Sequence, residues 1–162
     1  MRWLMILLLG LVPCGRAEAC SCAAGLTSGS AREASNVFVF RLLSAQADVS
    51  RKPGAEFQVT GRIQVLANVR GRTTSRDIDF STYWCCGIRM EVGKEYIGFL
   101  PSDARHFRAN AGNVLPLSES YGKVQAEMLE AVLRGTREID EAFSYGVQEI
   151  MQIRPPPAPC PR

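Results

Sequence analysis

The spacing of apolar residues changes once along the chain, and this change most constrains the fold. Over residues 37–100, apolar side chains either alternate with polar ones or form short β-branched and aromatic runs, as in strands. After Leu117 they recur every three or four positions, as in amphipathic helices. Strands followed by helices within one chain of 162 residues indicate a single α+β domain.

The same pattern predicts five strands, one early helical turn at 31–34 and two C-terminal helices. The strands are expected at residues 36–45, 57–67, 78–82, 95–100 and 105–110. Gly61 is a candidate bulge in the long second strand. Gly135 is expected to end the first C-terminal helix, and Thr136 to cap the second. A long, bulged second strand among five is typical of a small closed barrel of the OB type.

Residues 1–19 have the features of a secretory signal peptide. Arg2 supplies the positive charge, residues 4–12 the apolar run, and residues 17–19 small side chains around Glu18. The run is too short for a membrane span, which needs about 20 residues. The sequence therefore predicts a secreted or periplasmic protein, without a membrane span, that begins at Cys20. A lipid anchor on Cys20 is the minor alternative, and the acidic Glu18 argues against it.

Cleavage there removes one of six cysteines. The five that remain are Cys20, Cys22, Cys85, Cys86 and Cys160. Cysteines in small secreted domains usually pair, but five cannot all pair within one molecule. Cys160 lies in a proline-rich tail, residues 154–162, which is expected to be disordered, so it is taken as unpaired or bridged to another chain. Zinc binding by the other four thiolates is an alternative, although secreted thiols tend to oxidise.

Charge and composition exclude several classes of function. The net charge of +3 is too small by itself to indicate nucleic-acid binding. Arg70, Arg72 and Arg76 form a basic loop, interpreted as a solvated turn, with contact to a polyanion as the alternative. The one histidine, His106, is expected on a strand surface rather than in catalysis. Because no activated nucleophile, base or open metal site is evident, we expect no enzyme, no cofactor and no intrinsic metal.

Several segments resemble a known family. Cys20-Ser21-Cys22-Ala23 follows the signal peptide, and residues 34–40, Cys86-Gly87 and residues 92–100 follow in the family's order. This arrangement resembles the netrin-like domain and, within it, the tissue inhibitors of metalloproteinases and their bacterial relatives. The resemblance covers most of residues 20–135, and it implies a domain over residues 20–153 with an OB-type five-stranded barrel and helices packed beside it.

The resemblance also implies a way of binding. In the family, disulfides hold the N-terminal Cys-x-Cys rigidly, and the first cysteine chelates the catalytic zinc of a metalloprotease through its α-amino group and carbonyl oxygen. Cys20 would be the chelating residue, Ser21 would enter the specificity pocket, and Cys22 would be the second anchor. The alternative is a netrin-like protein-interaction module of the cell envelope that has no protease target.

The cysteines depart from the family pattern in one respect. Cys86 precedes a glycine, as one family partner does, but residues 108–120 hold no cysteine for the second bridge. Cys85 is the candidate that remains. The resemblance therefore implies Cys20 with Cys86, which leaves Cys22 for Cys85. The opposite connectivity and a strained vicinal Cys85–Cys86 disulfide stay open.

Overall fold

The structure is a computed structural model that describes residues 25–47, 58–82 and 87–152. Six strands and four helices lie in these ranges. In chain order they are α1 (Ser28–Glu33), β1 (Asn36–Ala47), β2 (Gln58–Arg70), β3 (Asp77–Ser81), β4 (Glu95–Leu100), β5 (His106–Ala109), β6 (Val114–Pro116), α2 (Lys123–Arg134), α3 (Ile139–Ala142) and α4 (Ser144–Gln152). The α+β class predicted from the sequence is confirmed.

The six strands form one curled, mixed sheet in the order β5-β3-β2-β1-β4-β6. All neighbours are antiparallel except β3 and β5, which are parallel. β5 and β6 lie at opposite edges of this sheet, yet only residues 110–113 separate them in the chain. A connection this short requires the two edges to approach each other, so the sheet curls into a barrel-like shape.

Irregular pairing between β1 and β2 accompanies this curvature. The register shifts between Leu42 and Ser44, so Leu43 is an extra residue on β1. Gly61, the predicted bulge, instead pairs regularly with Ala45, and that prediction is wrong. A Cβ atom at Gly61 would lie 2.8 Å from the Leu42 side chain, so glycine there permits close packing beside the bulge.

β1 is buried on both faces, which explains its continuous run of apolar residues. Phe38 and Phe40 lie inside the curled sheet, where both rings contact Phe107 of β5 edge-on. Val37 and Val39 belong to a second core between the sheet and the helices. The helices therefore cover one part of the outer surface of the sheet.

The bounds and caps of the helices agree in part with those predicted from the sequence. α1 begins three residues before the predicted turn, and α2 ends at Arg134, with Gly135 as its C-cap at a positive φ of 77°, as predicted. Thr136 does not cap the next helix, because its hydroxyl donates a hydrogen bond back to the carbonyl of Ala131. The last predicted helix is divided at Phe143 into α3 and α4.

Candidate functional site

The residues predicted to carry function lie outside the described residues. These are Cys20, Ser21, Cys22, Cys85, Cys86 and Cys160, together with the signal peptide at 1–19 and the tail at 154–162. Their pairing and role stay predictions. The structure does describe the chain on the C-terminal side of Cys22 and on both sides of the Cys85-Cys86 pair.

The segment that follows Cys22 is fixed to the sheet and to the helices. The backbone N–H of Leu26 donates to the carbonyl of Ala111, at 2.9 Å, in the connection between β5 and β6. The hydroxyl of Ser28 accepts a 2.8 Å hydrogen bond from the N–H of Ile139, the first residue of α3. These two bonds join the start of the described chain, at Leu26 and Ser28, to residues far away in the sequence.

The described residues on the two sides of the Cys85-Cys86 pair meet at the end of β3. The N–H of Ile88 donates to the carbonyl of Ser81, the last residue of β3, at 2.8 Å. Phe80 of β3 lies opposite Ala109 of parallel β5, so the two strands end at the same end of the sheet. Ala111, which accepts the bond from Leu26, is two residues beyond this pair. The start of the described chain and the described residues that flank Cys85-Cys86 therefore adjoin the same ends of β3 and β5.

A groove with a volume of about 660 Å³ lies near the other end of β3. Residues of β1, of β2 and of the β2–β3 connection line it, and we call it the arginine groove. Its lining residues are Leu43, Arg62, Ile63, Gln64, Val65, Arg72, Thr73, Thr74, Ser75 and Arg76. Arg62, Arg72 and Arg76 are exposed, and within the described ranges their side chains make no hydrogen bond or ion pair.

Arg70 differs from the other members of the predicted basic loop. Its guanidinium donates to the carbonyls of Arg32 and Ala34, at 2.6 and 3.1 Å, and to that of Leu133 at 3.4 Å. These carbonyls lie at the C-terminal ends of α1 and α2, where a positive charge is favourable. The interpretation as a solvated loop is therefore wrong for Arg70, which joins two helices to β2.

The connection that carries Arg72 and Arg76 is held by Asp103. The Asp103 carboxylate accepts hydrogen bonds from the Thr74 N–H at 2.9 Å and from the hydroxyls of Thr73 and Thr74. The Thr74 backbone bond and the two hydroxyl bonds outweigh desolvation and lower the pKa of Asp103. The Ser75 hydroxyl donates to the carbonyl of Ala104. The connection is thus fixed to the β4–β5 loop while its arginines stay exposed.

His106 lies on a strand surface, as predicted from the sequence. Its ring is half exposed, and Nε2 lies 2.9 Å from an Asp79 carboxylate oxygen on β3.

Within the described ranges, no three histidine, cysteine, aspartate or glutamate side chains come together as a metal site. Nor does any helix in those ranges have both the length and the apolar character to cross a membrane.

The sequence predicted only part of the arginine groove. The basic loop indicated Arg72 and Arg76, but Arg62 lies on a strand, and Leu43 lines the groove because of a bulge in β1.

Comparison of the chain with models of known protein families and with curated proteins gives no match.

Proposed function

We propose that this chain is a secreted binding module with an OB-type barrel of the netrin-like kind, acting through its N-terminal cysteine segment. The strand pairing carries the proposal. β5 pairs in parallel with β3, and β6 pairs antiparallel with β4. Taken as two halves of one strand interrupted at residues 110–113, β5 and β6 give five strands that connect both edges of the sheet, as in an OB barrel.

The anchoring of the N-terminal segment supports the cysteine pairing that the resemblance implies. Leu26 is bonded to Ala111, and Ala109, two residues earlier, lies opposite Phe80 of β3 at one interstrand spacing of about 4.8 Å. Cys22 is four positions before Leu26 in the chain, a reach of up to about 14 Å. Cys85 is four residues beyond Ser81. Bridges from Cys20 and Cys22 to Cys85 and Cys86 are therefore compatible with these distances.

The specific activity proposed for this module is inhibition of a zinc metalloprotease. The α-amino nitrogen and carbonyl oxygen of Cys20 would occupy the open coordination position of the protease zinc, and Ser21 would enter the adjoining pocket. An α-amino group has a pKa near 8, so its neutral, ligating form is accessible close to neutral pH. The disulfides would keep these atoms in place and so reduce the entropic cost of binding.

N-terminal sequencing of the secreted protein, followed by titration against a zinc metalloprotease, tests this proposal. We expect the mature chain to start at an unmodified Cys20 and to inhibit the protease. Acetylation of the α-amine, or one alanine added before Cys20, should abolish inhibition, because either change displaces the ligand nitrogen. An acylated Cys20, or inhibition that survives both changes, would contradict the chelation mechanism.

The arginine groove favours a second candidate function, that of a protein-interaction module without protease-inhibitor activity. The groove adjoins Arg76 at the start of β3, whereas the described chain that flanks Cys85 and Cys86 adjoins Ser81 at its end. A partner bound in the groove would not need the α-amine. Absence of inhibition by a chain with a free Cys20 would favour this candidate.

A further inference from the structure

The arginine groove carries an excess of positive charge. The free guanidinium groups of Arg62, Arg72 and Arg76 surround it, and Arg105 is adjacent, since its carbonyl accepts the Arg76 N–H at 3.1 Å. Two carboxylates lie nearby. Asp77 is opposite Arg62 in the β2–β3 pairing, and Asp103 is already occupied by Thr73 and Thr74. The groove therefore favours an anionic ligand.

The groove also offers features that a purely ionic ligand would not use. Leu43 is 49% exposed, and the half-buried Val65 also lines the groove. β2 pairs with β3 only as far as Arg62, after which the Ile63 N–H bonds to the Arg76 carbonyl. Beyond that point, within the described ranges, no strand pairs with the β3 side of β2, and the β2–β3 connection approaches it again only at Asn68, whose Oδ1 accepts the Thr73 N–H at 3.0 Å. An open strand edge can bind an extended peptide through main-chain hydrogen bonds.

From these three features together, we infer that the arginine groove binds an extended acidic peptide segment of a partner protein. Alternate side chains of an extended peptide point in opposite directions. Leu43 and Arg62 are both exposed, beside the buried Leu42 and Ile63, and so lie on the same outer face of the sheet. Acidic side chains on one face of the peptide would meet the arginines of the groove, and an apolar side chain on that same face would extend towards Leu43. The chain's own C-terminal tail is a poor occupant, because residues 153–162 contain two arginines and no acidic residue.

Fluorescence anisotropy with a labelled peptide of repeated Glu-Glu-Val-Val, which carries glutamate and valine on each face when extended, tests the inference on the mature protein. We expect saturable binding that weakens with added salt, and no binding of the matching lysine–valine peptide. The double variant Arg72→Glu, Arg76→Glu should weaken binding about tenfold or more. Both side chains are exposed and unpartnered, so its unfolding transition should match that of the parent protein.

A second double variant, Arg134→Glu with Arg137→Glu, is the matched control. It changes the net charge equally, at exposed positions at the end of α2 and in the loop that follows it. We expect it to bind the peptide almost as well as the parent. Equal weakening by both double variants would overturn the inference, because binding would then follow net charge alone.

The apolar and main-chain contributions have their own readouts. Leu43→Ser should weaken binding of the glutamate–valine peptide severalfold, and hydrogen exchange at residues 64–68 should slow when the peptide binds. A sulfated polysaccharide or a single-stranded RNA that binds where the peptide does not would contradict the peptide inference. An alanine added before Cys20 should leave peptide binding intact, so this test is independent of protease inhibition.

Discussion

Arg70 and Arg72 are two positions apart in the chain, but their side chains have different surroundings. Arg70 donates to backbone carbonyls at the ends of two helices, whereas the exposed Arg72 has no partner in the described ranges. Composition and spacing cannot separate them, because the carbonyls that Arg70 reaches belong to residues 36 to 63 positions away. Only the packing of α1 and α2 against the end of β2 distinguishes a structural arginine from one free to bind.

This difference gives a test at the residue scale. Arg70→Lys should lower the free energy of unfolding by about 1–2 kcal/mol, because an ammonium group cannot replace the planar fork that reaches three carbonyls. Arg72→Lys, the matched control, should change it by less than about 0.5 kcal/mol. Urea-induced unfolding followed by circular dichroism measures both. If the two variants are equally stable, Arg70 does not join the helices to the sheet.

At the scale of elements, the sequence predicted the strands and helices whose apolar residues follow a strong period. β4 lies at the predicted residues, and β1 and β2 extend only a few residues beyond theirs, because β-branched and aromatic runs carry a local signal. β6 has three residues and ends in a proline, so it offers no alternation to detect. Its strand form depends on pairing with β4, a tertiary interaction that local sequence does not encode.

The division of the last predicted helix at Phe143 is likewise a feature that local sequence does not encode. Ile139, Phe143 and Ile150 are buried as the predicted helical stripe required, although α3 and α4 are separate helices. The stripe encoded which face is buried but not the continuity of the backbone. The arginine groove is a stronger case, since three separate segments assemble it and none of them reveals it alone.

Gly146 determines how closely α4 approaches the sheet, and it provides the test at this scale. A Cβ atom there would collide with the carbonyl oxygen of Pro116 in β6, a backbone atom that cannot rotate away. Gly146→Ala should therefore destabilise the protein by about 2 kcal/mol, despite the better helix propensity of alanine.

A second glycine in a helix serves as the control for this variant. Gly29 lies in α1, where a Cβ atom would meet only the Thr27 hydroxyl oxygen, at 3.7 Å. Gly29→Ala should be neutral or stabilising by about 0.5 kcal/mol in the same thermal or urea unfolding experiment. If both alanine variants are stabilising, α4 can move away from β6 and the close contact is not a constraint on the fold.

On the scale of the whole molecule, the two proposed binding regions are approached from opposite ends of β3. The arginine groove adjoins the residue before Asp77, whereas the described residues that flank the Cys85-Cys86 pair adjoin Ser81, the last residue of this five-residue strand. The module could therefore hold a target through the N-terminal segment and an acidic peptide through the groove at the same time. Two such contacts on one rigid body would raise the overall affinity above that of either alone, provided that the partner spans both.

The proposed disulfides give the last test, because they would join the first residues of the mature chain to the middle of the fold. A Cys20–Cys86 bridge closes a long loop and should contribute roughly 4 kcal/mol to the free energy of unfolding in the chain-entropy model. Cys86→Ser should remove a contribution of this order, measured by urea unfolding without reductant. Cys160→Ser, the matched control in the proline-rich tail, should leave stability unchanged.

Peptide mapping of the unreduced protein should then recover Cys20 and Cys22 joined to the Cys85-Cys86 segment. A map that shows only a Cys85–Cys86 bridge would contradict the pairing and leave the N-terminal segment without the anchor that zinc chelation by Cys20 requires.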